Sequence, residues 1–186
     1  MSQIQRDLEE ARDVVAFLVA QHEQLTVLLN GVLAHSGLER QRHFDLAREM
    51  LARHETGEEM IVRPLTRDAP DGDAVAAARM AEENAAKEML AVLEDLDVDS
   101  DEFGRLFTTF RQSVLEHAQA EERDEFPLLR LHADPDALLK ARRRVERAEQ
   151  LAPTRPHPSL RTTTVNYVAG PFAAMVDRAR DFLRGT

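Results

Sequence analysis

One twelve-residue pattern occurs twice in this chain, and the repeat is the strongest constraint on its fold. HETGEEMIVRPL begins at His54 and HAQAEERDEFPL begins at His117, and both fit the frame HxxxEExxxxPL. Residues four apart lie on one face of a helix, so each copy places a histidine beside a glutamate. The proline near the end of each copy predicts a kink in its helix. The repeat therefore predicts two helices with matching inner faces and a chain built from a duplicated helix pair.

Apolar residues recur at helical spacing over four long segments, and each segment is followed by a turn. The predicted helices cover residues 3–34, 38–65, 73–96 and 101–131. The second helix is expected to direct Leu46, Met50 and Leu51 inward. Helices joined by short connections pack as antiparallel neighbours, which predicts an all-α, up-down-up-down four-helix bundle.

The predicted bundle occupies residues 1–133, and residues 134–186 form a C-terminal extension packed on it. The extension is predicted to contain a short helix over Pro135–Leu151, a proline-rich strap and a last helix over Pro171–Leu183. We expect the tail to fold back on the bundle and limit access to its interior, with Tyr167 packing the tail down.

Composition excludes several kinds of protein. The chain has a formal net charge of −10, which disfavours binding to the phosphates of nucleic acid. It contains no cysteine, so disulfides and thiolate metal sites are excluded. No apolar stretch approaches the ~20 residues that span a bilayer, and the N-terminal segment does not fit a signal peptide. We therefore expect a cytoplasmic protein with no nucleic-acid or membrane partner.

Three histidines interrupt the predicted apolar faces: His22, His54 and His117. Buried polar groups are costly unless they have partners, and Glu58 and Glu121 follow two of these histidines by four residues. Imidazole and carboxylate groups on one helical face form a chelating pair for a first-row metal. The pattern predicts a metal site between three helices. Taken alone, an inward histidine such as His22 is more often a hydrogen-bonded core histidine, and each HxxxE pair is equally compatible with a hydrogen bond on the helix surface.

Three other glutamates and the four remaining histidines are not predicted to be main metal ligands. Glu55 lies at the edge of the inner face, where it could bridge metal ions, and Glu59 and Glu122 are expected in solvent or behind the ligands. The remaining histidines lack a carboxylate at this spacing and are expected at the surface: His35, His43, His132 and His157.

A histidine on the first helix, followed by HxxxEE and a proline on the second and fourth helices, resembles the hemerythrin HHE cation-binding family. The likeness covers about residues 3–132, and the tail is similar to the extension of actinobacterial members. The resemblance implies two non-haem iron ions inside the bundle, joined by an oxo or hydroxo bridge. It also implies terminal ligation by His22, His54 and His117 and bridging by Glu58 and Glu121.

The third helix departs from the family pattern, which has a histidine about four residues before a lysine. This chain has Glu83 four residues before Lys87, with Glu82 and Asn84 as the neighbouring alternatives. We predict Glu83 as the sixth ligand, although a surface pair between Glu83 and Lys87 would explain the same spacing. A third carboxylate favours ferric iron, and so favours redox chemistry or sensing over reversible O2 carriage.

These expectations lead to two functions. In the first, the protein is a cytoplasmic di-iron protein that binds or reacts with O2, peroxide or nitric oxide; as an enzyme it would be an oxidoreductase turning over peroxide or nitric oxide. Phe103, Phe107 and Phe110 would line the pocket for these small ligands. In the second, it is a non-enzymatic iron or oxygen sensor that acts through a protein partner of unknown identity. The same donors also fit manganese or zinc, and a metal-free helical scaffold is a third possibility.

Overall fold

The computed structural model describes residues 3, 8 and 11–151 of the chain. The predicted last helix, the proline-rich strap and Tyr167 lie outside the described residues. The regular α-helices are α1 (Val14–Ala34), α2 (Gly37–Gly57), α3 (Arg63–Arg67), α4 (Gly72–Glu94), α5 (Asp101–Ala120), α6 (Phe126–His132) and α7 (Pro135–Leu151). Two short π-helical segments connect neighbouring helices: π1 (Glu58–Val62) joins α2 to α3, and π2 (Glu121–Glu125) joins α5 to α6.

These elements form four bundle helices and one additional helix. The bundle helices are α1, the continuous α2–π1–α3, α4, and the continuous α5–π2–α6. Helix α1 packs against α2 and α5, while α4 packs against α3 and α5, which closes the ring. Helix α7 lies across α1 and α2 and contributes the buried side chains of Leu138, Ala141 and Val145. The predicted all-α bundle with an added C-terminal helix is confirmed.

The two prolines of the repeat are accommodated by π-helical turns. Proline has no backbone N–H, and its ring clashes with the carbonyl of the residue four positions earlier. Just before Pro64, the N–H of Arg63 donates to the carbonyl of Glu58, five residues earlier. The N–H of Phe126, just before Pro127, donates in the same way to Glu121. The predicted kinks are therefore local widenings of the helix, and both widenings begin at a predicted metal ligand.

Two details of the predicted helices are wrong. The first bundle helix begins at Val14 rather than near residue 3, because the Asp13 side chain accepts a hydrogen bond from the N–H of Ala16 and caps it. Leu46 is 42% exposed. Leu51 is buried as predicted and Met50 packs partly against the core, but at the start of α2 the inner face is formed by Phe44 and Ala47 instead of Leu46.

Apolar layers enclose a polar middle section of the bundle. One layer contains four packed aromatic rings, from Phe44, Phe103, Phe107 and Phe110. The other is built from both bundle and α7 residues, including Val15, Leu18, Val62, Phe126, Leu129 and Val145. Along α1, for example, His22 lies between Leu18 of one layer and Leu25 of the other. The predicted metal ligands therefore lie where the bundle is sealed above and below.

None of the helices in the described part of the chain is both long enough and apolar enough to cross a membrane.

Candidate metal centre

The six predicted ligands meet inside the bundle, and all four bundle helices contribute to them. None of the six is more than 7% exposed. They are His22 from α1, His54 and Glu58 from the α2–π1 junction, Glu83 from α4, and His117 and Glu121 from the α5–π2 junction. Glu83 itself is only 2% exposed and faces the cluster, so its pair with Lys87, with 3.8 Å between Nζ and Oε2, is not a surface pair.

The six side chains form two groups that could each hold a metal ion. The first group is His22, His54, Glu58 and Glu121, and the second is Glu58, Glu83, His117 and Glu121. Within each group, one potential ligand atom per residue lies within 4.8 Å of all the others. Glu58 and Glu121 belong to both groups, so the two groups share these two carboxylates.

Each histidine in the cluster is oriented by a hydrogen bond from its Nδ1. A carboxylate or amide carbonyl oxygen can only accept, so Nδ1–H donates, and Nε2 is the ring atom that faces the carboxylates of the cluster. The acceptors are Glu122 for His22 (2.8 Å), Gln21 for His54 (2.9 Å) and Glu82 for His117 (2.8 Å). Glu122 was expected either in solvent or behind the ligands. It takes the second of these places, as the hydrogen-bond acceptor for His22.

The hydrogen bond from His54 to Gln21 is stabilised by a residue of helix α7. Gln21 accepts from His54 through its side-chain oxygen and donates from Nε2 to Glu149 of α7, over 2.8 Å. This second bond fixes the orientation of the amide, so the acceptor oxygen faces the histidine. Helix α7 therefore helps to position His54, a predicted ligand from α2.

Several buried donor and acceptor atoms at the centre lack hydrogen-bond partners among the described residues. They include Oε1 of Glu58, Oε2 of Glu121, and Nε2 of His22 and of His117, each Nε2 lying 3.2 Å from a Glu121 oxygen without hydrogen-bond geometry. Buried polar atoms without partners are rare in folded proteins, because each one costs its full desolvation penalty. All four atoms are of the types that bind first-row metal ions, so the donor set fits the expected cation.

Sequence reasoning missed a buried arginine inside this cluster. Arg63 is 1% exposed, and its Nη2 lies 2.6 Å from Oε1 of Glu83 and 3.3 Å from Oε2 of Glu58. The same Nη2 donates to Oε1 of Glu121. Its Nη1 donates to Oε2 of Glu125, a fully buried carboxylate, over 2.5 Å. The guanidinium therefore contacts four buried carboxylates at once.

The π-helical turn explains why Arg63 was not predicted. In a regular α-helix a residue five positions after Glu58 points about 140° away from it, because each residue adds about 100°. The widened turn returns Arg63 to the inner face. Glu125 follows Glu121 by four residues, so its spacing was a usable signal, and its Oε1 also accepts from Thr66.

A third group of carboxylates lies on the outer side of Glu83. Glu55 was considered as a bridging ligand, but it groups with Glu59 and Glu83 rather than with the shared pair. Its side chain is buried, and Oε2 has no hydrogen-bond partner within residues 11–151. Lys87 supplies positive charge here, with Nζ 2.5 Å from Glu59 and 3.8 Å from Glu83.

Burial and mutual proximity shift the ionisation of the cluster. Burial, reinforced by repulsion from His22, lowers the pKa of His54 to about 3, so His54 is neutral at physiological pH. Burial opposes the charged form of His117, but hydrogen bonds and attraction from carboxylates, Glu121 foremost, raise its pKa to about 10. Burial and the nearby Glu121 raise the pKa of Glu58, while His117 and Arg63 overcome burial and lower that of Glu121.

Phe103, Phe107 and Phe110 were expected to line a pocket for small ligands, but their rings are packed in the apolar core. A surface cavity of about 590 Å³ lies instead on the opposite side of the cluster, beside His22. Glu122 and Phe126, which both contact His22, line it.

Of the histidines expected at the surface, His35 and His132 are exposed and His43 is half-buried. His157 lies outside the described residues.

A comparison with family models identifies the chain. The model described as the hemerythrin HHE cation binding domain matches residues 13–129, and that segment contains all six clustered side chains. No curated protein and no solved structure gives a significant match. Since the matched segment covers more than half of the 186 residues, this protein belongs to the hemerythrin HHE cation-binding domain family.

Proposed function

We propose that this protein is a non-haem di-iron protein that binds or reacts with O2, peroxide or nitric oxide. The observation that carries the proposal is the sharing of Glu58 and Glu121 between two groups of metal donors. In this arrangement His22 and His54 complete the first position, and Glu83 and His117 complete the second. The family match independently supports binding of a cation.

The donor types support iron. Three imidazoles and three carboxylates form a mixed nitrogen and oxygen set that suits iron, with manganese and zinc as competitors. Anionic oxygen donors stabilise the ferric state more than imidazoles do. Glu83, in the place of a third-helix histidine, therefore favours redox chemistry or sensing over reversible O2 carriage.

The surrounding protein supports chemistry shielded from water. A bound iron pair supplies electron-transfer chemistry towards small oxygen or nitrogen ligands. The protein positions the three imidazoles through their Nδ1–H donors and excludes water with the two apolar layers. The cavity beside His22 is the expected approach for a small ligand, because Glu122 and Phe126, which line it, both contact this histidine.

Metal analysis with matched histidine variants tests this function. Protein purified aerobically from iron-replete cells should contain about two irons per chain and absorb in the near ultraviolet and visible range. His54→Ala should lose iron, whereas His35→Ala, at an exposed histidine just after the end of α1, should keep it. Failure of the wild type to bind iron after reconstitution would contradict the proposal.

A sensor acting through a partner is the second candidate. Leu131, 77% exposed, lines the surface cavity beside His22 together with Val15 and Val19. This places an exposed apolar surface next to one metal position, where loading could alter it. Turnover of peroxide or nitric oxide faster than by free iron favours the enzyme; iron binding without turnover favours the sensor.

A further inference from the structure

The side chain of Arg63 lies on one side of the cluster rather than at its centre. Oε2 of Glu121 faces His22, with 3.2 Å between Oε2 and Nε2. Oε1 of the same carboxylate accepts from Arg63 and lies 3.2 Å from Nε2 of His117. Arg63 also donates twice to Glu83, from Nε over 3.1 Å and from Nη2 over 2.6 Å. The guanidinium therefore occupies the His117 side.

Nη2 of Arg63 contacts all three carboxylates of the second metal group: Glu58, Glu83 and Glu121. Carboxylate oxygens that already accept charge-assisted hydrogen bonds are less available to a metal ion, and a cation bound there would be repelled by the guanidinium. In the first group Arg63 contacts only the two shared carboxylates, at Oε2 of Glu58 and Oε1 of Glu121. Oε2 of Glu121, which faces His22, and Oε1 of Glu58 have no hydrogen-bond partner in the described chain, so this group retains two carboxylate oxygens that the guanidinium does not occupy.

We propose that Arg63 is an internal cation that competes for the second metal position, so that the two positions fill in a fixed order. The position at His22 and His54 fills first. The position at Glu83 and His117 fills second and more weakly, because its ion must displace the guanidinium from Glu83 and Glu121. This inference rests on the proposed two-metal site and specifies how that site is loaded.

The structure supplies a second binding place for the displaced guanidinium. Glu125 accepts from Nη1 of Arg63 over 2.5 Å and belongs to neither metal group. Thr66 donates to the other oxygen of Glu125 and holds the carboxylate in place. Because the arginine side chain has a long flexible stem, it can leave the three shared carboxylates while remaining paired with Glu125. Arg63 thus balances buried negative charge whether or not the second position is filled.

Binding of Mn²⁺ to the metal-free full-length chain, followed by calorimetry, tests the order of filling. The wild type should show two steps, the second about tenfold or more weaker, because a unit charge near a buried site exerts a large electrostatic effect. Arg63→Gln should tighten the second step by about tenfold or more and change the first step less. The matched control is Arg48→Gln, since Arg48 pairs with Asp45 and Glu94 away from the cluster.

The outcomes separate this inference from the proposed function. Two equal steps in the wild type, or an Arg63→Gln variant in which both steps change equally, would overturn the competition by Arg63 while leaving the metal site intact. No binding by the wild type would remove the metal site itself. If Arg63→Gln does not fold, Arg63→Lys keeps the charge and should retain the ordered steps; loss of the order in that variant with normal folding would also overturn the inference.

Discussion

Replacement of Glu83 by alanine tests the feature that distinguishes this chain from the usual family pattern. The substitution removes an acceptor of two hydrogen bonds from Arg63 and a carboxylate of the second metal group. The first group contains no atom of Glu83 and should stay intact. We therefore expect Glu83→Ala to bind one iron per chain instead of two.

Without metal, the Glu83→Ala variant should be moderately less stable than the wild type. A hydrogen bond to a charged group contributes about 1.5–3 kcal/mol. Arg63 keeps Glu58, Glu121 and Glu125 as partners, so it is not left as an unpaired buried charge. A loss of about 2 kcal/mol corresponds to a decrease in Tm of about 4–8 °C for a domain of this size. The substitution also removes the repulsion between Glu83 and the other buried carboxylates, so we expect a decrease in Tm in the lower part of this range.

The two adjacent positions serve as controls in the same assays, iron content and thermal melting. Asn84 is exposed, so Asn84→Ala should change the free energy of unfolding by less than about 0.5 kcal/mol and leave the iron content unchanged. Glu82 accepts from Nδ1 of His117, so Glu82→Ala should retain two sites but weaken iron binding about 10–100-fold. Retention of two tightly bound irons by Glu83→Ala, or loss of the second iron in Glu82→Ala alone, would refute the reasoning.

Three further predictions follow from the geometry and burial. His54→Ala and His117→Ala should each lower both iron content and the Tm of the iron-loaded protein, because an ion bound only to the folded state stabilises it; unchanged melting with iron would contradict a shared buried site. The pKa of His117, raised to about 10, gives metal-free protein stability that is complete below pH 6.5 and lost as pH rises towards 10. Between pH 6 and 10, the Tm of the metal-free wild type should therefore decrease more steeply with pH than the Tm of His117→Gln. Equal slopes for the two proteins would contradict this prediction. Phe107→Ala, at a fully buried ring of the aromatic layer, should cost about 3–5 kcal/mol in urea unfolding yet leave iron stoichiometry unchanged; loss of iron would show that the layer is coupled to the site.

The repeat allowed most of the candidate site to be predicted from sequence. Because histidine and glutamate four residues apart share a helical face, the spacing alone placed His54 with Glu58 and His117 with Glu121. The phase of His22 with the apolar residues of α1 placed it on the inner face as well. Glu83 required the family resemblance in addition, since charged residues at helical spacing are common on exposed surfaces.

What the sequence did not reveal has specific physical causes. Arg63 was missed because a regular helix directs it outward and only the π-helical turn brings it in. The roles of Gln21 and Glu149 depend on how α7 packs across α1, a long-range contact that helical periodicity does not encode. The late start of α1 was missed because capping by Asp13 competes with an apolar pattern that continues across it.

The central claim is that Glu58 and Glu121 bridge two iron ions inside the bundle. Its most direct test is a crystal structure of aerobically purified protein, with anomalous differences measured on both sides of the iron absorption edge. We expect two iron peaks about 3.5–4 Å apart, one beside His22 and His54 and the other beside Glu83 and His117. The absence of iron from both positions in crystals of iron-reconstituted protein, or iron bound only outside this cluster, would contradict the account.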